Sequence, residues 1–180
     1  MDTPSLNKTA VFAGGCFWCI GADIKKVPSV SNAVSGYAGG TTEHPTYENY
    51  SRGGHREVVE VTYDSAKTSY EELVMHFIKS IDPTDAGGSF HDRGMAYSPA
   101  IYYETDEEKQ IAEKVLRDVE RMGIYEKPFA VEVLLRTKFW PAEEYHQDYD
   151  KKNPAHYDLY RQASGRDAFV KEHLKGYAKK

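Results

Sequence analysis

Cysteine is almost missing from this 180-residue chain: there are two, Cys16 and Cys19, and one tetrapeptide holds both. Two thiols so close cannot staple distant segments, which excludes a disulfide framework. They point instead to chemistry in a reducing compartment, expected to be the cytoplasm. Long apolar runs are missing too. No stretch approaches the roughly 20 residues that a membrane-spanning helix needs, and residues 1–10 are too polar for a secretory leader. Positive charge is not in excess: 23 Lys and Arg stand against 28 Asp and Glu, a formal net charge of −5. The basic residues are scattered, so neither nucleic acid nor a membrane is an expected partner. Low-complexity linkers and a second hydrophobic unit are lacking, so one domain is expected over residues 1–180, acting as a monomer.

What the chain does have is Gly14-Gly15-Cys16-Phe17-Trp18-Cys19, directly after a short apolar run at 9–13 and before a stretch free of helix breakers. A thiol placed where a strand turns into a helix meets backbone N–H groups that have no intrahelical partner, together with roughly half a positive charge from the aligned peptide dipoles. Such a place favours thiolate over thiol. An ordinary cysteine, with a pKa near 8.5, is only about 3% ionised at pH 7, so lowering that value by one to two units raises the reactive fraction roughly tenfold. Gly14 and Gly15 permit a tight turn and leave Cys16 open to a substrate. Phe17 and Trp18 either wall a small apolar pocket beside the sulfur or belong to the core.

Periodicity predicts strands near 8–13 and 30–38 around a helix near 16–26 that Pro28 ends. A strand at 55–63 follows, whose Val59, Val61 and Tyr63 alternate with Glu60 and Thr62, the pattern of a sheet with one wet face. Ser69 and Glu72 form a capping box for a helix running to about Ser80. A strand at 99–104, a helix from Asp106 to about Met122 stopped by Gly123, and a strand at 130–136 complete the regular part. The segment from 139 onward reads as helical or irregular and rich in Tyr and His. The order predicts an α+β fold, a two-layer α/β sandwich whose mixed sheet has a ferredoxin-like βαβ core and carries a long irregular C-terminal segment.

Two loops, 39–54 with one helical turn at 46–51 and 82–98, are too long for idle connections. They and the strand between hold Tyr47, His55 and Glu57, then His91, Asp92 and Tyr97, the places to look for partners of Cys16. Taken alone, Glu57 reads as solvated surface, Asp92 as a turn cap, and Tyr47 and Tyr97, two of fourteen tyrosines, as packing. His55 and His146 read as structural hydrogen-bond donors, and the cluster from Tyr145 to Tyr149 as packing of the tail.

Six blocks in register carry a resemblance: Gly14-Gly15-Cys16-Phe17-Trp18-Cys19, Ser35-Gly36-Tyr37-Ala38-Gly39-Gly40, Pro45-Thr46-Tyr47, Gly54-His55-Arg56-Glu57, Asp82-Pro83-Thr84, and Ala142-Glu143-Glu144-Tyr145-His146-Gln147-Asp148-Tyr149. Together they resemble the A-type peptide methionine sulfoxide reductases over about 8–154, with 155–180 as an extension. The resemblance implies reduction of the S epimer of methionine sulfoxide, free or in proteins, with no cofactor and no metal. It makes Cys16 the nucleophile and Glu57 a carboxylic acid kept protonated by desolvation. It makes Tyr47 and Tyr97 hydroxyl donors to the sulfoxide oxygen, Asp92 a substrate anchor, and Phe17 with Trp18 the pocket for the S-methyl group. The products are methionine and a Cys16 sulfenic acid.

The sequence departs from the common family arrangement that keeps a resolving cysteine in the C-terminal tail. Cys19 is then the candidate resolving thiol, recycled by a thioredoxin-like donor. Within a regular helix the two Cβ atoms lie about 5–6 Å apart. A disulfide needs about 3.5–4.5 Å, so closure is expected to loosen the first helical turn. Two other readings of Cys-x-x-Cys remain: a thiol-disulfide oxidoreductase, in which Phe17 and Trp18 obstruct a protein disulfide, and a metal-binding module, for which two further ligands are lacking.

Overall fold

Alternation along one strand organises the molecule. In the computed structural model, which describes residues 6–179, β3 (Arg56–Asp64) sends Val59, Val61 and Tyr63 into the main core. Residues 1–5 and 180, read from sequence as polar, solvated ends, lie outside the described residues. β1 (Asn7–Ala13) and β2 (Val30–Ala38) flank β3, both antiparallel to it, with Phe12 opposite Val59 and Tyr37 opposite Glu57. α1 (Phe17–Ile24) links β1 to β2, and α2 (Tyr70–Lys79) leads from β3 towards the second long loop. α2 begins with the anticipated capping box: the Glu72 N–H donates to Ser69 Oγ at 3.1 Å and the Ser69 N–H to Glu72 Oε2 at 3.0 Å.

The second loop is not featureless. It carries a two-residue hairpin, β4 (Gly88–Ser89) with β5 (Asp92–Arg93), then a 3-10 turn at Met95–Tyr97. β6 (Ala100–Tyr103) joins the sheet antiparallel to β1. The four strands β6-β1-β3-β2 with α1 and α2 form the expected ferredoxin-like core. α3 (Asp106–Arg121) crosses over to β7 (Glu132–Leu135), which runs parallel to β6. The far face of the sheet is only partly wet, because Val11, Ala13, Val58, Ala100 and Tyr102 form a second cluster there with Leu134 and Phe139 against it.

The segment after 139 corrects the expectation of a long irregular tail. β8 (Trp140–Pro141) adds a strand beside β2, and α4 (Tyr149–Lys152), α5 (Pro154–Ser164) and α6 (Arg166–Tyr177) follow. The local signals are of standard kind: Pro154 opens α5 at a position where its missing N–H costs nothing, and Gly165, at φ 79°, takes the left-handed turn between α5 and α6. No helix among the described residues is long and apolar enough to cross a membrane.

Candidate active site

Cys16 sits where β1 ends and α1 begins, and the two glycines before it are sterically required. Gly15 has φ 88°, and a Cβ there would come within 2.3 Å of Ser89 Cβ; one on Gly14 would meet Ile20 Cδ1 at 2.6 Å. Cys16 is the N-cap of α1 rather than part of its first turn, with φ −53° and ψ 117°. An N-cap side chain naturally meets the N–H of the third helical residue, and here that residue is Cys19. No side-chain cap hydrogen bond forms there, but the two thiols lie in one buried cluster and influence each other's ionisation. Cys16 thus lies just outside the first turn, so the two thiols are not the regular helical pair that the sequence reading assumed when it expected closure to loosen that turn. Both thiols are free and buried.

Opposite the helix start lies Glu57, near the beginning of β3 and 3% exposed. Its Oε2 accepts the Phe17 N–H at 3.0 Å and its Oε1 accepts the Tyr50 hydroxyl at 2.9 Å. Burial outweighs these two bonds and pushes the carboxyl up to about 8. At pH 7 Glu57 is thus a neutral acid facing a thiol.

Between them is a cleft of about 50 Å³ lined by Cys16, Phe17, Trp18, Tyr47, Glu57, Asp92, Tyr97 and Tyr160. Every site residue that the resemblance implied lines it except Cys19, which is 1% exposed, whereas His55 and His91, also named from the loops, do not. Tyr47 comes from the helical turn of the first loop, where the Asn49 and Tyr50 N–H groups both reach Thr46 O. Tyr97 closes the 3-10 turn of the second loop, and burial raises its hydroxyl above the ordinary tyrosine value. Phe17 is a buried wall, while Trp18 is half-buried and fixed from outside. Its Nε1 donates to His146 Nδ1 at 3.1 Å, and its ring stacks on Tyr149 at 3.8 Å. A hollow of about 800 Å³ beside α6 is lined by Tyr125, Phe169 and His173 among others and contains no thiol.

The model of the peptide methionine sulfoxide reductase family matches residues 8–178. The chain belongs to that family. It is 50% identical to the peptide methionine sulfoxide reductase MsrA of Bacillus velezensis over 93% of this chain and 96% of that one. It is 47% identical to MsrA/MsrB of Vibrio cholerae over 96% of its own length but spans only 46% of that longer protein. Among solved structures, Mxr1 of Saccharomyces cerevisiae in reduced form superposes with TM-score 0.77 at 25% identity, covering 86% of this chain and 90% of the other. Methionine sulfoxide reductase A of Corynebacterium diphtheriae superposes with TM-score 0.72 at 30% identity, covering 84% and 77%. Mxr1 has also been solved in complex with Trx2, a structure that shares the fold at 21% identity, TM-score 0.56, covering 83% of this chain and 88% of that one.

Within this reductase fold several neighbours of the cleft escaped sequence reasoning. Tyr50, 4% exposed, is the hydroxyl that holds Glu57, three residues from the Tyr47 that was named. Tyr160 of α5 lines the cleft and donates its hydroxyl to Asp92. Tyr157, one helical turn earlier, packs on the two cysteines. Tyr157, Tyr160 and Arg161 share one helical stripe, a signal visible in sequence, but nothing there told which surface the stripe would meet. His146, read as a structural donor, instead accepts from Trp18 at Nδ1, and burial lowers its basicity. His55 bridges the first loop, accepting the Gly40 N–H at 3.1 Å while its Nε2 reaches Thr42 O at 2.8 Å. No group of three or more His, Cys, Asp or Glu side chains among the described residues converges as metal ligands would.

The helix start meets opposition at Cys16, because its first free N–H, that of Phe17, is taken by Glu57. Burial, the Cys19 sulfur and Glu57 push the Cys16 thiol well up. Cys19 is held down to about 7, by the neighbouring Cys16 side chain and by the charges of Arg166 and Arg161.

Proposed function

We propose that this chain reduces the S epimer of methionine sulfoxide to methionine, free or within proteins. The single observation that carries the reading is a neutral, buried carboxyl, Glu57, sharing a cleft of about 50 Å³ with the Cys16 sulfur between the rings of Phe17 and Trp18. Oxygen leaves a sulfoxide poorly unless protonated, so the reaction needs an acid at the oxygen and a nucleophile at the sulfur. Glu57 supplies the proton, the hydroxyls of Tyr47 and Tyr97 bind the oxygen, and Asp92 anchors the substrate. Phe17 and Trp18 receive the S-methyl group, a sulfur-aromatic contact worth about 0.3–1.5 kcal/mol. Methionine leaves and Cys16 retains the oxygen as a sulfenic acid.

Cys19 then condenses with the sulfenic acid to give a disulfide and water. A thioredoxin-like donor, the kind of partner with which yeast Mxr1 has been solved, returns the pair to dithiol. The chain works as one unit and as a monomer, since one chain supplies every wall of the cleft. Its dependence on such a donor suits the reducing cytoplasm.

The test offers each sulfoxide epimer separately with dithiothreitol. Disappearance of the S form alone is expected, with none by Cys16→Ser; turnover of the R form alone overturns the reading. Cys19→Ser with thioredoxin is expected to stop at one methionine per enzyme, and full turnover would remove Cys19 from the resolving role.

A further inference from the structure

Arg166 opens α6 and runs inward, 2% exposed. Its Nη1 donates to Ser80 O at 2.9 Å, its Nη2 to Gly14 O and Ser89 Oγ at 3.1 Å each, and the Phe90 ring covers its face at 4.8 Å. All four partners are neutral, and Nε has none among the described residues. The other sheltered arginines are each paired: Arg56 with Glu132, Arg136 with Glu60, Arg161 with Asp23 and Asp167. Arg166 has no carboxylate within salt-bridge reach among the described residues. A guanidinium keeps its charge when buried, and an isolated buried charge is strongly unfavourable unless a counter-charge stands near.

That counter-charge has few possible sources. Arg166 holds the carbonyl of Gly14, two residues before Cys16, and its Nη2 is 3.3 Å from where a Gly15 Cβ would lie. The ionisable groups facing Cys19 are Cys16 and Asp23 on its own segment, Glu57 from β3, Tyr157, Tyr160 and Arg161 from α5, and Arg166 from α6. Asp23 is already engaged by Arg161 and Lys26. Glu57 is neutral at pH 7, and burial holds both tyrosines protonated. Asp92, opposite Ser89 in the β4–β5 hairpin, is held by the Tyr160 hydroxyl. That leaves the two thiols.

We infer that Arg166 is the counter-charge of a thiolate held by the Cys16 and Cys19 pair, and that it keeps that charge on Cys19 as the acceptor of the Cys16 proton. The inference rests on the reductase reading and deepens it. As Cys16 attacks, its sulfur bonds to the sulfoxide sulfur, its proton passes to the Cys19 thiolate, and the Glu57 proton passes to the sulfoxide oxygen. The hydroxyl then moves to Cys16 as the methionine sulfur loses both its bond to oxygen and its bond to the Cys16 sulfur, leaving as the thioether. Methionine sulfur is reduced by two electrons and Cys16 is oxidised by two, leaving Cys19 a thiol ready to condense. Arg166 touches no substrate and is a positioning residue.

Thiolate absorbance near 240 nm, followed against pH, tests this without any turnover. Wild type is expected to show one thiolate titrating near 7, absent in Cys19→Ser. In Arg166→Gln the midpoint is expected to rise by a full pH unit or more. Single-turnover sulfoxide reduction at pH 6.5 should slow at least tenfold, the gap closing towards pH 8, while Arg166→Lys stays close to wild type. An unmoved titration in Arg166→Gln overturns the inference, as does a lysine variant that behaves like the glutamine one. Should Arg166→Gln not fold, the wild-type titration still decides: no thiolate at pH 7.5 overturns it. Failure of the reductase reading looks different, as an intact titration with no sulfoxide reduced.

Discussion

The two sides of Cys16 are built from different parts of the chain and have opposite electrostatic character. In front, β3 and the two long loops set Glu57, Tyr47, Tyr50 and Tyr97 around the cleft, and burial drives every one of these groups towards its protonated form. Behind, α1, α5 and α6 surround Cys19 with Arg161 and Arg166, and that thiol is driven the other way. Burial favours the proton-bearing forms in front while the guanidinium charges favour a thiolate behind, which is the polarity that protonating an oxygen while attacking a sulfur demands. Desolvation acts on both sides alike. What separates them is that guanidinium groups act on the rear thiol, whereas the buried Arg56 of β3 does not line the cleft and is spent on Ser98, Tyr102 and Glu132.

The contrast breaks most severely at Glu57. Glu57→Gln keeps the shape but has no proton to give, and sulfoxide reduction with dithiothreitol is expected to fall about 10²–10⁴-fold, measured as kcat/KM. Raising the pH imitates this change reversibly: as pH climbs through about 8 Glu57 ionises, and kcat/KM is expected to fall about tenfold per pH unit beyond it. The same group leaves a trace in stability. Its folded value lies above the ordinary 4.5, so its contribution is complete below that value and is lost as pH rises towards 8. Thermal melting should show this downward trend in wild type and lose it in Glu57→Gln.

Tyr50→Phe sharpens the front rather than destroying it. The Tyr50 hydroxyl bond favours the ionised carboxylate, so its loss should raise Glu57 further and move the alkaline limb of the rate profile upward, with a few-fold change in rate at pH 7. Tyr149→Ala has the smallest expected effect: removing the ring stacked on Trp18 costs about 0.5–1.5 kcal/mol of wall rigidity, to be seen as a raised KM with little change in kcat.

Local chemistry made much of this legible in the chain itself. Val59, Val61 and Tyr63 announced a half-buried strand, Ser69 with Glu72 a helix start, and Gly14-Gly15-Cys16 a reactive turn, because each depends on neighbours a few residues away. Tyr47, Asp92 and Tyr97 belong to the candidate site only through the resemblance to the family's pattern; on their own they read as packing and turn residues. Tyr50 was missed because its value lies in reaching a carboxylate seven residues on through a particular loop shape. Tyr160 and Arg166 were missed for a stronger reason. They lie 68 and 152 residues from the groups they hold, Asp92 and Gly14.

By itself, then, the sequence determined the ferredoxin-like strand and helix order and the thiol at a strand-to-helix junction, since periodicity, caps and glycine turns are short-range properties of the chain. Tertiary structure alone decided what surrounds each of the two sulfurs. A buried carboxyl from β3 and a guanidinium from α6 without a carboxylate partner meet there only once the chain has folded.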